Sequence, residues 1–152
     1  MPLDGPEKRI LRALQEDGRL STQELADRIG LSGSPTWRRV KALEESGVIA
    51  GYVAILDPDK VGLPECVFAQ VTLEKHNRQG IAEFERMVQE REEVLECFSM
   101  TGDADYLLRV VTPDTRAYER FLQEAIFTLP VVSHIRSSFA LRTVKFTTRL
   151  PV

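Results

Sequence analysis

The stretch GLSGSPTWRRVKALEESGVI spans residues 30–49 and is typical of a single helix. Ser32 or Ser34 can cap its first turn, because a serine hydroxyl accepts a hydrogen bond from the free backbone N–H groups there. Pro35 is tolerated only in a first turn, and Gly47 is a residue that commonly ends a helix. The stretch therefore predicts one helix, which carries Trp-Arg-Arg and the only tryptophan of the chain.

Two shorter helical segments precede this stretch. In PEKRILRALQED, Ile10, Leu11 and Leu14 recur at helical spacing, and the Asp-Gly pair that follows ends the segment. In STQELADRIG, a serine or threonine N-cap is followed by Leu25 and Ile29 on one face. A tight turn that contains glycine joins the last two helices, and this arrangement is a helix-turn-helix.

The third helix has two different faces. At about 100° per residue, Thr36, Val40 and Leu43 fall in one narrow sector, which is predicted to be buried. The residues that face outward near the helix N-terminus are Ser34, Trp37, Arg38 and Lys41. An alternative is a solvated basic helix with the tryptophan folded back onto a neighbouring helix.

The outward face has the chemistry that double-stranded DNA requires. In a helix-turn-helix this end of the helix enters the major groove, where arginine reads guanine edges and lysine meets phosphate. The predicted DNA-binding residues are Ser32, Ser34, Thr36, Trp37, Arg38, Arg39 and Lys41.

Composition limits the class of protein. The 152 residues carry a formal net charge of −3, with 43% hydrophobic and 28% charged residues, so a generally basic DNA-coating protein is excluded. Residues 1–50 contain as many Lys and Arg as Asp and Glu, but a local basic face on a neutral module can still meet phosphates.

No apolar run approaches the ~20 residues that span a bilayer, and no signal-peptide pattern is present. We expect a cytoplasmic protein without a membrane partner.

The periodicity changes after a Pro-, Gly- and Asp-rich hinge at residues 57–65. CVFAQVTLE alternates as a strand, two amphipathic helices follow with two strands between them, and a last strand region begins at VVSHIRSSF. The order β-α-β-β-α-β is that of a ferredoxin-like fold. We predict an α+β chain with a DNA-binding domain at residues 1–56, which ends in a short linker strand, and an effector-binding and oligomerisation domain at residues 66–152. Two helices cover one face of such a sheet, so apolar residues on the other face predict a dimer.

Motifs of catalysis are absent from the sequence. We find no P-loop and no nucleophile motif, and His76 and His134 lack the spacing of metal ligands. Cys66 and Cys97 are two lone cysteines without a CxxC spacing and are predicted to be buried thiols. We therefore predict no enzyme activity, no metal site and no cofactor.

Three segments resemble the Lrp/AsnC transcription regulators: residues 3–63, MTGDADYLLRV at 100–110 and SSFALRTVK at 137–145. The ending FTTRLPV is similar to a branch that controls amino-acid catabolism and detoxification genes. The resemblance implies a winged helix-turn-helix joined to a ferredoxin-like ligand-sensing domain. It also implies dimers, and dimers of dimers up to octamers, that respond to amino acids. The sequence departs from the family pattern at Gly33, where proline is frequent, and at Trp37, where many members carry a smaller residue.

The segment TGDADYLL predicts a tight turn between two strands, because Gly102 and Asp103 tolerate left-handed backbone. Exposed backbone N–H groups of this turn could hold an α-carboxylate, while Asp103 or Asp105 accepts from an α-ammonium. The family resemblance places the effector around this turn and the facing last strand. The implied effector-binding residues are Thr101, Gly102, Asp103, Ala104, Asp105, Ser137, Ser138 and Ala140.

Two other classes of function remain open at this point. A ferredoxin-like small-molecule-binding or enzymatic protein with a helical appendage is one, because the fold hosts many activities. A less selective, nucleoid-type architectural DNA-binding protein is the other. The sequence favours a sequence-specific regulator over both.

Overall fold

The computed structural model describes residues 3–74 and 78–152, so His76 lies outside the described residues. The chain forms two compact units, Met1–Ile55 together with Lys145–Val152, and Leu56–Val144. None of the helices in the described ranges is long and apolar enough to cross a membrane.

The first unit contains the three predicted helices, α1 (Gly5–Glu16), α2 (Thr22–Ile29) and α3 (Gly33–Glu45). Reciprocal capping boxes begin the first two, Asp4 with Glu7 and Ser21 with Glu24. Such boxes satisfy backbone N–H groups that no helical carbonyl reaches. The helices enclose one apolar core, built from Ile10, Leu11, Ala13, Leu25, Ile29 and Leu43.

Residues 145–152 also belong to this first unit, whereas the sequence prediction assigned them to the C-terminal domain. The side chain of Gln15 on α1 bonds both backbone groups of Leu150, accepting from its N–H at 2.6 Å and donating to its carbonyl at 3.2 Å. Arg12 donates to the carbonyl of Val152 at 2.8 Å. These contacts join residues about 135 positions apart, which local sequence patterns do not report.

The segment that follows α3 differs from the prediction of a short linker strand. No strand is assigned within residues 46–64, because a strand requires a neighbour to complete its backbone hydrogen bonds and none of the described residues supplies one. Apolar side chains there stay exposed, and Val53 retains 87% of its accessible surface.

The second unit has the predicted order: β1 (Glu65–Leu73), α4 (Arg78–Glu90), β2 (Val94–Ser99), β3 (Tyr106–Thr112), α5 (Thr115–Phe121) and β4 (Val132–Phe139). Helix α5 continues through a π-helical turn at Leu122–Ile126. The sheet order is β2-β3-β1-β4 with antiparallel neighbours. This topology confirms the ferredoxin-like fold.

The two faces of the sheet differ. On β1, Val67, Ala69 and Val71 are fully buried in a core that also contains Phe84 of α4 and Phe121 of α5. On the opposite face, apolar side chains remain accessible, including Phe68, Phe98 and Leu107. The alternation seen in the sequence therefore separates a covered face from an uncovered one. The cysteines Cys66 and Cys97 are free and only partly buried.

Candidate DNA-binding and effector sites

The exposed face of α3 carries most of the predicted DNA-binding residues. Ser32, Ser34, Trp37, Arg38 and Lys41 are all exposed in the structure. Ser34, Trp37 and Arg38 lie in the first half of α3 and Ser32 just before it, the end that a helix-turn-helix presents to the major groove, and Lys41 lies one turn beyond Trp37 on the same face.

Thr36 does not lie on that face. Its side chain is fully buried, and its hydroxyl donates to the carbonyl of Ser32 at 2.9 Å. The hydroxyl is therefore hydrogen-bonded to the backbone at the start of α3 and is not available to DNA. Thr36 is removed from the predicted DNA-binding residues, in agreement with the inward direction that helical periodicity gives it.

Arg39 is bound to another helix. Its guanidinium donates to Asp4, the N-cap of α1, at 2.6 Å and lies 3.9 Å from Glu7. The pKa of Asp4 is lowered, first because its carboxylate accepts from the backbone N–H of Glu7 and second because it accepts from Arg39. The structure therefore assigns Arg39 to the connection between α1 and α3, whereas the sequence prediction counted it among the DNA contacts.

Trp37 lines a groove on the surface of the first unit. The groove has a volume of about 440 Å³ and includes apolar residues of all three helices. Tyr52, which follows α3, lines the same groove, and its hydroxyl donates to Glu44 at 2.9 Å. Burial, and then the neighbouring carboxylate, raise the pKa of Tyr52 to about 12. Sequence reasoning missed Tyr52, because it lies outside the helical periodicity.

The predicted turn in TGDADYLL joins β2 to β3 and borders a cavity of about 260 Å³ on the uncovered face of the sheet. Gly102 has a φ of 112°, a conformation that side chains disfavour. Thr101, Asp103 and Ala104 line the cavity. Three of the predicted effector-binding residues therefore line the same cavity.

Asp105 has a different role from its neighbour Asp103. Its carboxylate accepts from the backbone N–H of Leu73 at 2.7 Å, and its own N–H donates to the carbonyl of Val71 at 2.9 Å. Both bonds hold the turn against the end of β1. The carboxylate is therefore committed to the backbone, and Asp103 is the better candidate for a ligand.

The predicted residues of the last strand lie away from this turn. The Ser137 hydroxyl bonds that of Tyr118, which belongs to the helix-covered core. Ser138 pairs with Phe68, and the N–H of Ala140 donates to the carbonyl of Cys66. Cys66 is six strand positions from Thr72, which corresponds to about 20 Å. Within one chain, the structure does not bring these three residues to the turn.

Other residues complete the cavity, and none of them was predicted from the sequence to bind an effector. Gln70 pairs with Arg136, and Thr72 pairs with His134, across β1 and β4. All four line the cavity together with Met100 and Leu107. The four paired residues occupy the outward positions of strands whose inward positions are apolar. The alternation of polar and apolar residues was therefore the only feature of the sequence that indicated them.

Comparison with known proteins agrees with both units. Residues 3–50 match the model of a winged helix-turn-helix DNA-binding domain. Residues 66–150, more than half of the chain, match the model of the Lrp/AsnC ligand binding domain.

Curated relatives match over nearly the whole chain. The Bkd operon transcriptional regulator of Pseudomonas aeruginosa is 45% identical over 99% of this chain and 98% of its own length. The leucine-responsive regulatory protein of Escherichia coli K12 is 39% identical over 99% of this chain and 92% of its own.

Solved structures agree with the fold. A transcriptional regulator of Neisseria meningitidis in complex with L-Met has a TM-score of 0.95 at 39% identity, over 99% of this chain and 97% of that one. A feast or famine regulatory protein of Mycobacterium tuberculosis complexed with L-methionine has a TM-score of 0.85 at 34% identity, over 98% and 99%. With both domain models matched in their expected order, this chain belongs to the Lrp/AsnC family of transcriptional regulators.

Proposed function

We propose that this regulator reads DNA with the exposed face of α3, in the cytoplasm and without catalysing a reaction. The observation that carries the proposal is the exposed set Ser34, Arg38 and Lys41 on the helix that follows a tight turn. Arg38 suits a bidentate contact with guanine, whereas Lys41 suits a phosphate. Ser34 can reach either a base or a phosphate.

Arg38→Ala is expected to reduce the preference for an operator over random DNA by about 1–3 kcal/mol, because one base contact is lost. Operator fragments are obtained by sequencing the DNA bound by the protein in its own genome, and affinities are measured at a fixed salt concentration. Arg9→Ala, on the exposed surface of α1, is the matched control. Equal affinity of the unaltered protein for operator and random DNA would contradict a specific regulator and favour an architectural protein.

We infer that the effector is an amino acid with a neutral side chain, bound in the cavity beside the turn at residues 101–104. Asp103 and Arg136 line this cavity, and neither has an ion-pair partner among the described residues. One carboxylate and one guanidinium match the two charges of a zwitterion. Met100 and Leu107 offer apolar surface to a side chain. The L-Met complexes of two relatives support this chemistry.

Asp103→Ala and Arg136→Ala are each expected to weaken amino-acid binding by about 1.5–3 kcal/mol, the usual contribution of a hydrogen bond to a charged group. Isothermal titration calorimetry with L-methionine, then with other neutral amino acids, measures this loss. Asp105→Ala is the contrasting variant. It should lower the melting temperature, because it leaves the N–H of Leu73 without its acceptor. Unchanged binding by Asp103→Ala would refute the assigned cavity.

We also propose that the uncovered face of the sheet is a self-association surface, which gives a dimer that can assemble further, up to an octamer. Phe68, Phe98 and Leu107 make this face apolar, and exposed apolar patches on a monomer are uncommon. Phe98→Asp is expected to shift the protein toward monomer in sedimentation velocity, because a charge is then placed in the interface. Phe127→Asp, at a position that is 60% exposed, is the control, and an unchanged assembly in Phe98→Asp would contradict the proposal.

A further inference from the structure

The indole ring of Trp37 and the ammonium group of Lys41 lie together on α3. The Lys41 Nζ is 5.1 Å from the centre of the ring, within the range of a cation–π interaction. Positions four apart share a helix face, so the contact follows directly from the helix. Glu45, one turn further, has a carboxylate oxygen 3.8 Å from the same nitrogen.

The ring is half-buried and half-exposed. Trp37 retains 51% of its accessible surface, and it lines the groove beside Leu14 of α1, Leu25 of α2 and Val40 of its own helix. The indole therefore borders this groove, which Lys41 also lines, and does not belong to the apolar core of the unit. A tryptophan side chain has two rotatable bonds, whereas lysine has a flexible four-carbon stem, so contact with the ring limits the positions that the Lys41 ammonium can take.

Lysine is a flexible side chain, and holding it in place before binding reduces the entropy lost when it meets a partner. The ion pair between Lys41 and Glu45 is exposed, and such pairs contribute little free energy in water. It therefore leaves the Lys41 ammonium available to a phosphate. We propose that Trp37 is a positioning residue for DNA binding, which acts by holding the ammonium of Lys41 toward the phosphate backbone. This inference rests on the proposed phosphate contact of Lys41.

A double-mutant cycle on the full-length protein tests the inference. The variants are Trp37→Leu, which removes the aromatic face but keeps apolar bulk, Lys41→Ala, and the two combined, with Trp37→Phe as the conservative replacement. Affinity for one genomic fragment recovered with the protein is measured between 50 and 200 mM salt, a range over which phosphate contacts weaken strongly.

Lys41→Ala is expected to reduce the slope of log affinity against log salt by about 1 for each protomer bound to the DNA, because each protomer loses one phosphate contact. Trp37→Leu is expected to weaken binding about two- to fivefold for each bound protomer, the range of an exposed cation–π contact, and to cause no further loss in the Lys41→Ala background. Trp37→Phe should retain most of the affinity. Melting temperatures of all four variants accompany the binding data.

The outcomes separate this inference from the proposal on which it rests. If Lys41→Ala leaves the salt slope unchanged, Lys41 contacts no phosphate. Both the proposed phosphate contact and the positioning role of Trp37 are then wrong. If that slope falls but Trp37→Leu costs the same affinity with and without Lys41, Trp37 touches DNA directly or supports the fold, and the inference alone is overturned. The melting temperatures then distinguish these two causes.

Discussion

Leu43→Ala is expected to destabilise the first unit by about 2–5 kcal/mol, because a buried leucine loses its packing and leaves a cavity. Leu43 is only 1% exposed and lies in the core with Ile10, Leu25 and Ile29. Arg38 and Lys41 are on the same helix, so DNA binding should weaken together with the fold of this unit. Urea unfolding followed by tryptophan fluorescence measures the loss, since the only tryptophan of the chain, Trp37, is in this unit.

A control in the same unit removes apolar bulk at an exposed position. Val53 is 87% exposed, and Val53→Ala should change the stability by less than about 0.5 kcal/mol. If Leu43→Ala has an effect as small as that of the control, the stability of α3 does not depend on its packing against Ile10, Leu25 and Ile29.

Phe84→Ala is expected to destabilise the second unit by about 3–5 kcal/mol, the usual cost of removing a buried aromatic ring. Phe84 is fully buried on α4, and its ring centre lies 4.8 Å from that of Tyr106 at the start of β3. The Tyr106 hydroxyl donates to Glu85 on the same helix at 2.7 Å. Because Tyr106 directly follows Asp105, this contact also supports the turn that borders the proposed effector cavity.

Far-UV circular dichroism during urea unfolding is the appropriate measurement, because the tryptophan reports on the other unit. Phe127 is 60% exposed, so Phe127→Ala is the control that removes the same ring from the surface. We also expect Phe84→Ala to bind L-methionine more weakly than the unaltered protein. Equal stability of the two variants would show that the packing of α4 on the sheet is not a main source of stability.

Much of the fold could be predicted from the sequence because its signals are local. Helical spacing predicted the three helices of the first unit, which the structure contains. The predicted serine cap is confirmed in α2, whereas Ser32, the N-cap of α3, makes no side-chain cap hydrogen bond. The alternation of Val67, Ala69 and Val71 predicted the inner face of β1, which is fully buried. In each case, the residues that carry the signal are neighbours in the chain.

The candidate sites could be predicted only in part, since a side chain's partner is often remote in sequence. Arg39 looks like a DNA contact until Asp4, 35 positions away, is placed beside it. Asp103 and Asp105 look equivalent until β1 brings the N–H of Leu73 to one of them. Arg136 becomes a candidate only when β4 pairs with Gln70 of β1.

Periodicity and capping by themselves determined that the chain has a helix-turn-helix followed by a βαββαβ unit, and which face of each element is apolar. They also determined that Trp37 faces outward on α3. Tertiary structure alone decided which of the polar groups are free to bind. The Arg39 guanidinium and the Asp105 carboxylate, for example, are already hydrogen-bonded to a partner within their own unit. The partners in such bonds are far apart in the sequence and become neighbours only when the chain folds.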